Sequence, residues 1–154
     1  MPRPRSLVVA IVLGILAMAW ADPAGAALRA KFELFVHDVD ASVRFYEALG
    51  FTVAHRKPSD GYTTLQQGDV VVALSPLPRW LPIHWLGFLR LPPFGTEIVF
   101  YPDSLEDARA ALVEAGFRPS EIERQPWGHL DFRLRDPDGY YVRISEGGPL
   151  PDAP

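Results

Sequence analysis

Glu33 and Glu97 stand 64 residues apart, each within a short, largely apolar stretch: Phe32 to Val36 and Glu97 to Tyr101. Two carboxylates sharing one concavity raise each other's pKa and can supply a general acid or base. They can equally be neutralised by Arg143, Arg133 or Lys31, and then they hold structure instead of moving protons. His129, two residues after Trp127, is a candidate proton shuttle or simply an exposed side chain on a polar strand face. Trp127 offers a flat apolar surface on which a ligand can stack, or it packs its own turn. His37 and His55 fall near strand ends and carry no assignment. His84 lies in a proline-rich stretch where a ligand contact is open to it. The chain has no cysteine, which excludes disulfides, thiolate-bound metals and thiol catalysis.

The elements that must position these residues come in two rounds. Phe32 to Val36 alternates as a strand, and Asp38 opens a helix whose apolar stripe is Val43, Phe45, Tyr46 and Leu49. Gly50 ends that helix, Phe51 restarts a strand, and strands at Gly61 to Gln66 and Val70 to Leu74 flank the Gly68-Asp69 turn. The order then repeats. A strand at Glu97 to Tyr101 leads to a helix opened by Asp103-Ser104 and ended by Gly116. Strands at His129 to Arg135 and Tyr140 to Ser145 flank the Asp136-Pro137-Asp138-Gly139 turn. Glu33 with Glu97, Gly50 with Gly116, Gly61 with Gly128 and Gly68 with Gly139 give offsets of 64, 66, 67 and 71, the slow drift that small loop insertions produce.

The whole chain has 154 residues, 48% hydrophobic and 22% charged, with a formal net charge of −4. This composition suits one globular domain and excludes wholesale disorder, a coiled coil or a collagen-like fibre. No basic stripe marks it as a nucleic-acid binder. Residues 1–26 read as a secretory signal: Arg3 and Arg5, then an apolar run of 15 residues from Leu7 to Ala21, then a small-residue site at Ala24-Gly25-Ala26. As a helix that run spans about 22 Å, short of the roughly 30 Å hydrocarbon core. The sequence thus predicts export to the periplasm or medium after cleavage near Ala26, with membrane anchoring by residues 7–21 as the alternative. The predicted domain runs from 27 to 148, with modules at about 31–75 and 95–146, a linker at 76–94 carrying Trp80, Trp85 and Phe88, and a tail at 149–154.

The segments Phe32 to Phe51 (FELFVHDVDASVRFYEALGF) and Gln125 to Glu146 (QPWGHLDFRLRDPDGYYVRISE) resemble the vicinal oxygen chelate superfamily of glyoxalases, extradiol dioxygenases and bleomycin resistance proteins. The second is most similar to bleomycin-resistance-type members, down to the PWG turn and the DPDG hairpin. The resemblance spans residues 31 to 146. It implies an α+β fold of two βαβββ modules forming a cup-shaped mixed sheet, helices on the convex side and a ligand in the concavity. It also implies a homodimer. Strand parity then puts Phe32, Leu34 and Val36 under the helices. The opposite faces carry Glu33, Phe35, Tyr62, Thr64, Glu97, Tyr101, His129, Asp131, Tyr141 and Arg143. Parity alone also fits a plain solvated sheet face.

Metal-using members of the superfamily hold a divalent ion with His and Glu from four strands. The corresponding positions here are Arg143 and Val72, each four residues past a turn glycine, Lys31, eight residues before Val39, and Glu97, or Gly95 if the strand shifts by two. A guanidinium has no lone pair for a metal, so only Glu97 can serve, and no cofactor or metal is expected. The leading reading is an exported protein that binds a small organic molecule through Glu33, Phe35, Tyr62, Glu97, Trp127, His129 and Arg143, without metal or nucleic acid. The alternatives are a metal- or acid/base-dependent lyase, isomerase or dioxygenase of the same superfamily, and a degenerate module with a structural role.

Overall fold

A computed structural model describes residues 31–77 and 95–147. The expected leader, most of the aromatic linker and the tail lie outside the described residues. The first module comprises β1 (Phe32–Val36), α1 (Val39–Ala48), β2 (Thr52–Arg56), β3 (Thr63–Gln67) and β4 (Val70–Pro76). The second comprises β5 (Glu97–Phe100), α2 (Leu105–Glu114), β6 (Glu123–Arg124), β7 (Leu130–Arg135) and β8 (Tyr141–Ser145). The fold is α+β, two βαβββ modules in sequence.

Local chemistry explains the helix limits. The Asp38 carboxylate accepts a hydrogen bond from the Ala41 amide at 3.0 Å, and the Ser104 hydroxyl accepts one from the Asp107 amide at 3.1 Å, each satisfying an orphan donor of the first turn. Gly50 has φ +90° just past α1, and a Cβ there would meet the Gln67 amide nitrogen at 2.8 Å. The conformation therefore calls for glycine, while the Gln67 side chain, flexible and exposed, could swing aside from a Cβ.

The modules repeat one topology. The strand orders are β1-β4-β3-β2 and β5-β8-β7-β6. In each sheet the first strand runs parallel to the last and the other pairings are antiparallel. Leu34, Val36, Leu65, Val72 and Leu74 point inward from the first sheet, and Ile98, Phe132, Leu134, Val142 and Ile144 from the second, into one core completed by Phe45, Tyr46 and Leu112 of the helices. Edge-to-face rings cross the module boundary, Phe45 to Phe117 at 5.0 Å and Phe51 to Phe100 at 5.4 Å between centroids. Such pairs add about 0.5–1.5 kcal/mol beyond their buried area.

Three details depart from the sequence expectation. Phe32 is 51% exposed instead of covered by a helix, because it opens the edge strand β1. Val72 is buried in the core, so it is not the counterpart of Arg143. Glu33 pairs with Ala73 and Phe35 with Ser75, whereas Glu97 pairs with Tyr141 and Val99 with Arg143. Ser75 is therefore the topological equivalent of Arg143; counting from the turn glycine fails because the two hairpin loops differ in length, and a one-residue slip switches faces. Finally, β6 has only two residues, paired with Asp131 and Leu130. Pro119 and Pro126, which lack an amide donor, bracket it.

The Asp136–Gly139 turn, read from sequence as hairpin chemistry, also clasps the two modules. Asp136 and Asp138 are buried. Asp138 accepts from the His37 amide at 2.9 Å, lies 2.6 Å from His37 Nδ1, and accepts from the Ser42 hydroxyl at 3.4 Å. Asp136 accepts from the Asp138 and Tyr140 amides and, at 3.4 Å, from the Tyr46 hydroxyl. The Tyr140 hydroxyl accepts from the Phe35 amide at 3.1 Å and donates to the Phe35 carbonyl at 3.2 Å, so it blunts the open edge of β1. Burial pushes the Asp136 carboxyl up to about 6. Burial also pushes the Tyr46 hydroxyl well above its ordinary range.

Candidate functional site

On the face of the second sheet opposite the core, β5, β7 and β8 present Glu97, Asp131, Arg133, Tyr141 and Arg143. The register puts Arg133 directly across from Arg143, with Asp131 two residues back on β7. Arg143 bridges two carboxylates, Glu97 at 3.1 Å and Asp131 at 3.7 Å. Arg133 reaches Asp131 at 3.5 Å. Without these partners the two adjacent guanidinium groups would repel; with them the strands can hold both. Asp131 is only 1% exposed and also accepts from the Gln125 side-chain amide at 2.9 Å. Burial works against the charge of Arg133, yet Asp131 and Tyr141 more than offset it, so its pKa lies above the ordinary value.

Trp127 lies over this pair. Its ring centroid is 5.6 Å from the Arg143 guanidinium carbon and 5.9 Å from that of Arg133, within cation–π range. The indole is nevertheless 54% exposed. It sits in a turn closed by the Gly128 amide on the Gln125 carbonyl at 2.9 Å, with Arg124 also bonded to the Gly128 carbonyl. Among the described residues, the buried side-chain polar atoms without a hydrogen-bond partner are Asp131 Oδ2, Arg133 Nε and Arg143 Nε, all in this cluster. A buried polar group left unsatisfied costs about 1–3 kcal/mol. Asp131 Oδ2 and Arg133 Nε still take part in the longer ion pairs, at 3.7 and 3.5 Å, so among the described residues Arg143 Nε is the buried side-chain atom with neither kind of partner.

The corresponding face of the first sheet is open. Lys31 donates to the Tyr62 hydroxyl at 2.8 Å, pairs with Glu33 at 3.3 Å, and lies 5.5 Å from the Tyr62 ring centroid. The hydrogen bonds to Tyr62 and Glu33 raise the Lys31 ammonium above its ordinary value. Phe35, on the same strand face as Glu33, is 49% exposed.

The expected site residues thus separate into groups. Glu97, Trp127 and Arg143 come together, joined by Asp131 and Arg133. Glu33 and Tyr62 come together around Lys31. Among the described residues no hydrogen bond or ion pair links Glu33 with Glu97. His129 precedes β7, is exposed, and its ring packs where a Cβ on Gly147 would lie, 3.3 Å away; it makes no side-chain hydrogen bond to the cluster. Tyr101 lies just past the end of β5 and borders a different cavity. Gln125 is absent from the sequence expectation; its place in the turn leading into β7, two residues before Trp127, was the available signal.

The donor set does not fit a divalent ion. Glu97 is held by Arg143, the strand neighbours of Glu33 and Glu97 are Ala73 and Tyr141, and Lys31 is a cation. Among the described residues no group of three or more His, Asp or Glu side chains is placed to hold a metal.

Comparison with known proteins follows the fold. The chain is similar to a bleomycin resistance determinant encoded on transposon Tn5, with 25% identity, a TM-score of 0.59, and 79% of this chain and 98% of that chain covered. It is similar to a bleomycin-binding protein solved in complex with bleomycin, with 25% identity, a TM-score of 0.60, and coverage of 79% and 100%. A lactoylglutathione lyase from Agrobacterium tumefaciens shares the fold at 20% identity and a TM-score of 0.56, with 80% and 96% covered. No curated protein sequence matches the chain. The family model that does match, over residues 29–144, places the fold and its paired modules in one group: the chain belongs to the Glyoxalase/Bleomycin resistance protein/Dioxygenase superfamily.

Proposed function

We propose that this protein binds a small organic molecule, without a metal ion, on the sheet face around Trp127, Arg133, Asp131, Arg143 and Glu97. The observation that carries the reading is an exposed indole lying over two paired guanidinium groups, beside the unsatisfied Arg143 Nε. A ligand that stacks on Trp127 and offers an acceptor to Arg143 would suit that arrangement. The bleomycin-binding relative supports the reading, being a solved structure in which a small molecule is held. An acid/base enzyme is less well supported, because Arg143 engages Glu97 and Lys31 engages Glu33.

Titration calorimetry with bleomycin, followed by a thermal-shift screen of aromatic and polar small molecules, tests the proposal. A bound compound raises the melting temperature in proportion to the logarithm of its concentration above Kd. Trp127→Ala should abolish that rise. Stoichiometric binding of nickel, zinc, manganese or iron by the wild-type protein would overturn the metal-free reading. The same proposal includes export as a homodimer: N-terminal sequencing of the exported protein should begin at Ala27, and sedimentation should give twice the chain mass.

A further inference from the structure

A second cavity, of about 250 Å³, opens at the seam between the modules, away from the arginine cluster. Its floor reaches the core at Phe51 and Ile144, which are 3% and 0% exposed, with Phe100 beside them. Phe51 and Phe100 meet edge to face, so the floor presents aromatic surface. Its mouth is flanked by Val70 and Tyr101, which are 39% and 40% exposed and so hold apolar surface in water. The ionisable carboxyl lining it is Asp103; among the described residues no lysine, arginine or histidine does so. The Gln67 amide stands at the rim, and Gly50 lacks the Cβ that would displace it.

These features combine an apolar, aromatic floor with polar groups at the rim, a mixture from which a small-molecule site can be built. The charge at the mouth has one sign. An anion would meet Asp103 and no compensating cation. An ammonium group would meet a carboxylate at the mouth and aromatic faces within. We propose that this seam is a second binding site, taking a small aromatic or apolar amine with its ring on Phe51 and Phe100 and its ammonium at Asp103. The site is independent of the ligand assigned to the arginine cluster.

Three probes with one ring system and different charge test it on the full chain by calorimetry: tryptamine, indole and indole-3-acetate. Tryptamine should bind, indole about tenfold more weakly for want of a charge-assisted hydrogen bond, and indole-3-acetate not at this site, so that any binding it shows is lost in Trp127→Ala, which removes the arginine-cluster site. Asp103→Asn should bring tryptamine down to the affinity of indole. Ala108→Leu, which projects from α2 into the cavity, should abolish binding of both. Val70→Ser at the exposed mouth checks the same site without burdening the fold, and should weaken both probes severalfold. Trp127→Ala should leave tryptamine and indole unchanged, which separates this site from the arginine cluster. Equal affinity for the three probes in Trp127→Ala, loss of tryptamine binding in that variant, or no binding at millimolar concentration would each overturn the proposal.

Discussion

The two modules share a topology and differ in where they keep charge. In the first, the ionisable groups of the sheet face are exposed: Lys31, Glu33 and the half-buried Tyr62 form a contact open to water. In the second, three carboxylates are buried, Asp131, Asp136 and Asp138. Asp131 is held by two arginines on the sheet face, while Asp136 and Asp138 are held by neutral donors and His37 at the module boundary. A duplicated backbone therefore does not carry duplicated chemistry. The first module contributes the surface against which the second clasps, and the second concentrates the strained polar groups. Buried charge is costly unless paired, so its accumulation in one module shows how far the two sheets have diverged in chemistry.

The sharpest way to break this contrast is to remove the pairing. Arg143→Ala leaves Glu97 without its cation and Asp131 buried with Arg133 alone, and should cost about 3–5 kcal/mol in urea denaturation, the range for breaking a buried pair. The double change Arg143→Ala with Asp131→Ala should recover part of that loss, since the fully buried carboxylate is then gone and the remaining Arg133 and Glu97 are partly exposed.

Next in size is Asp136, a buried carboxylate that no cation holds. Its folded pKa, about 6, lies above the ordinary 3.8 because of burial. The native state therefore binds the proton more tightly than the unfolded chain, and this group's contribution falls as pH rises from about 4 to 6 and stays low above that. The shift corresponds to about 3 kcal/mol. Asp136→Asn keeps an acceptor for the Asp138 and Tyr140 amides and removes the charge. It should raise stability at pH 7.5 by up to that amount and flatten the pH dependence, as read from melting curves between pH 4 and 8.

Tyr140→Phe removes both bonds to Phe35 and should cost about 1 kcal/mol, with faster hydrogen exchange at the Phe35 amide. Smallest of all, Lys31→Ala should leave the melting temperature within error of wild type, because its partners are exposed and solvent already serves them. A large loss there would end the contrast between the modules.

Strand parity was legible because it is local. Leu34, Val36, Phe132, Leu134, Val142 and Ile144 are inward where alternation put them. Phe32 breaks the pattern because exposure at a sheet edge depends on what lies beside the strand. The pairing of Glu97 with Arg143 and of Glu33 with Lys31 was among the options that charge alone suggested. Their geometry was not, since it depends on which residues two strands place opposite each other.

What the sequence determined by itself is the order of elements, their caps and turns, the face each strand turns inward, and the unsuitability of Arg143 and Lys31 as metal ligands. These follow from side-chain type and short-range spacing. What only the tertiary structure decided is where separate segments meet. Asp138 finds His37 across 101 residues, Tyr140 finds Phe35 across 105, and the seam cavity draws its walls from both modules. Such contacts depend on packing a shared core, and no local pattern of residues encodes the angle at which two modules dock.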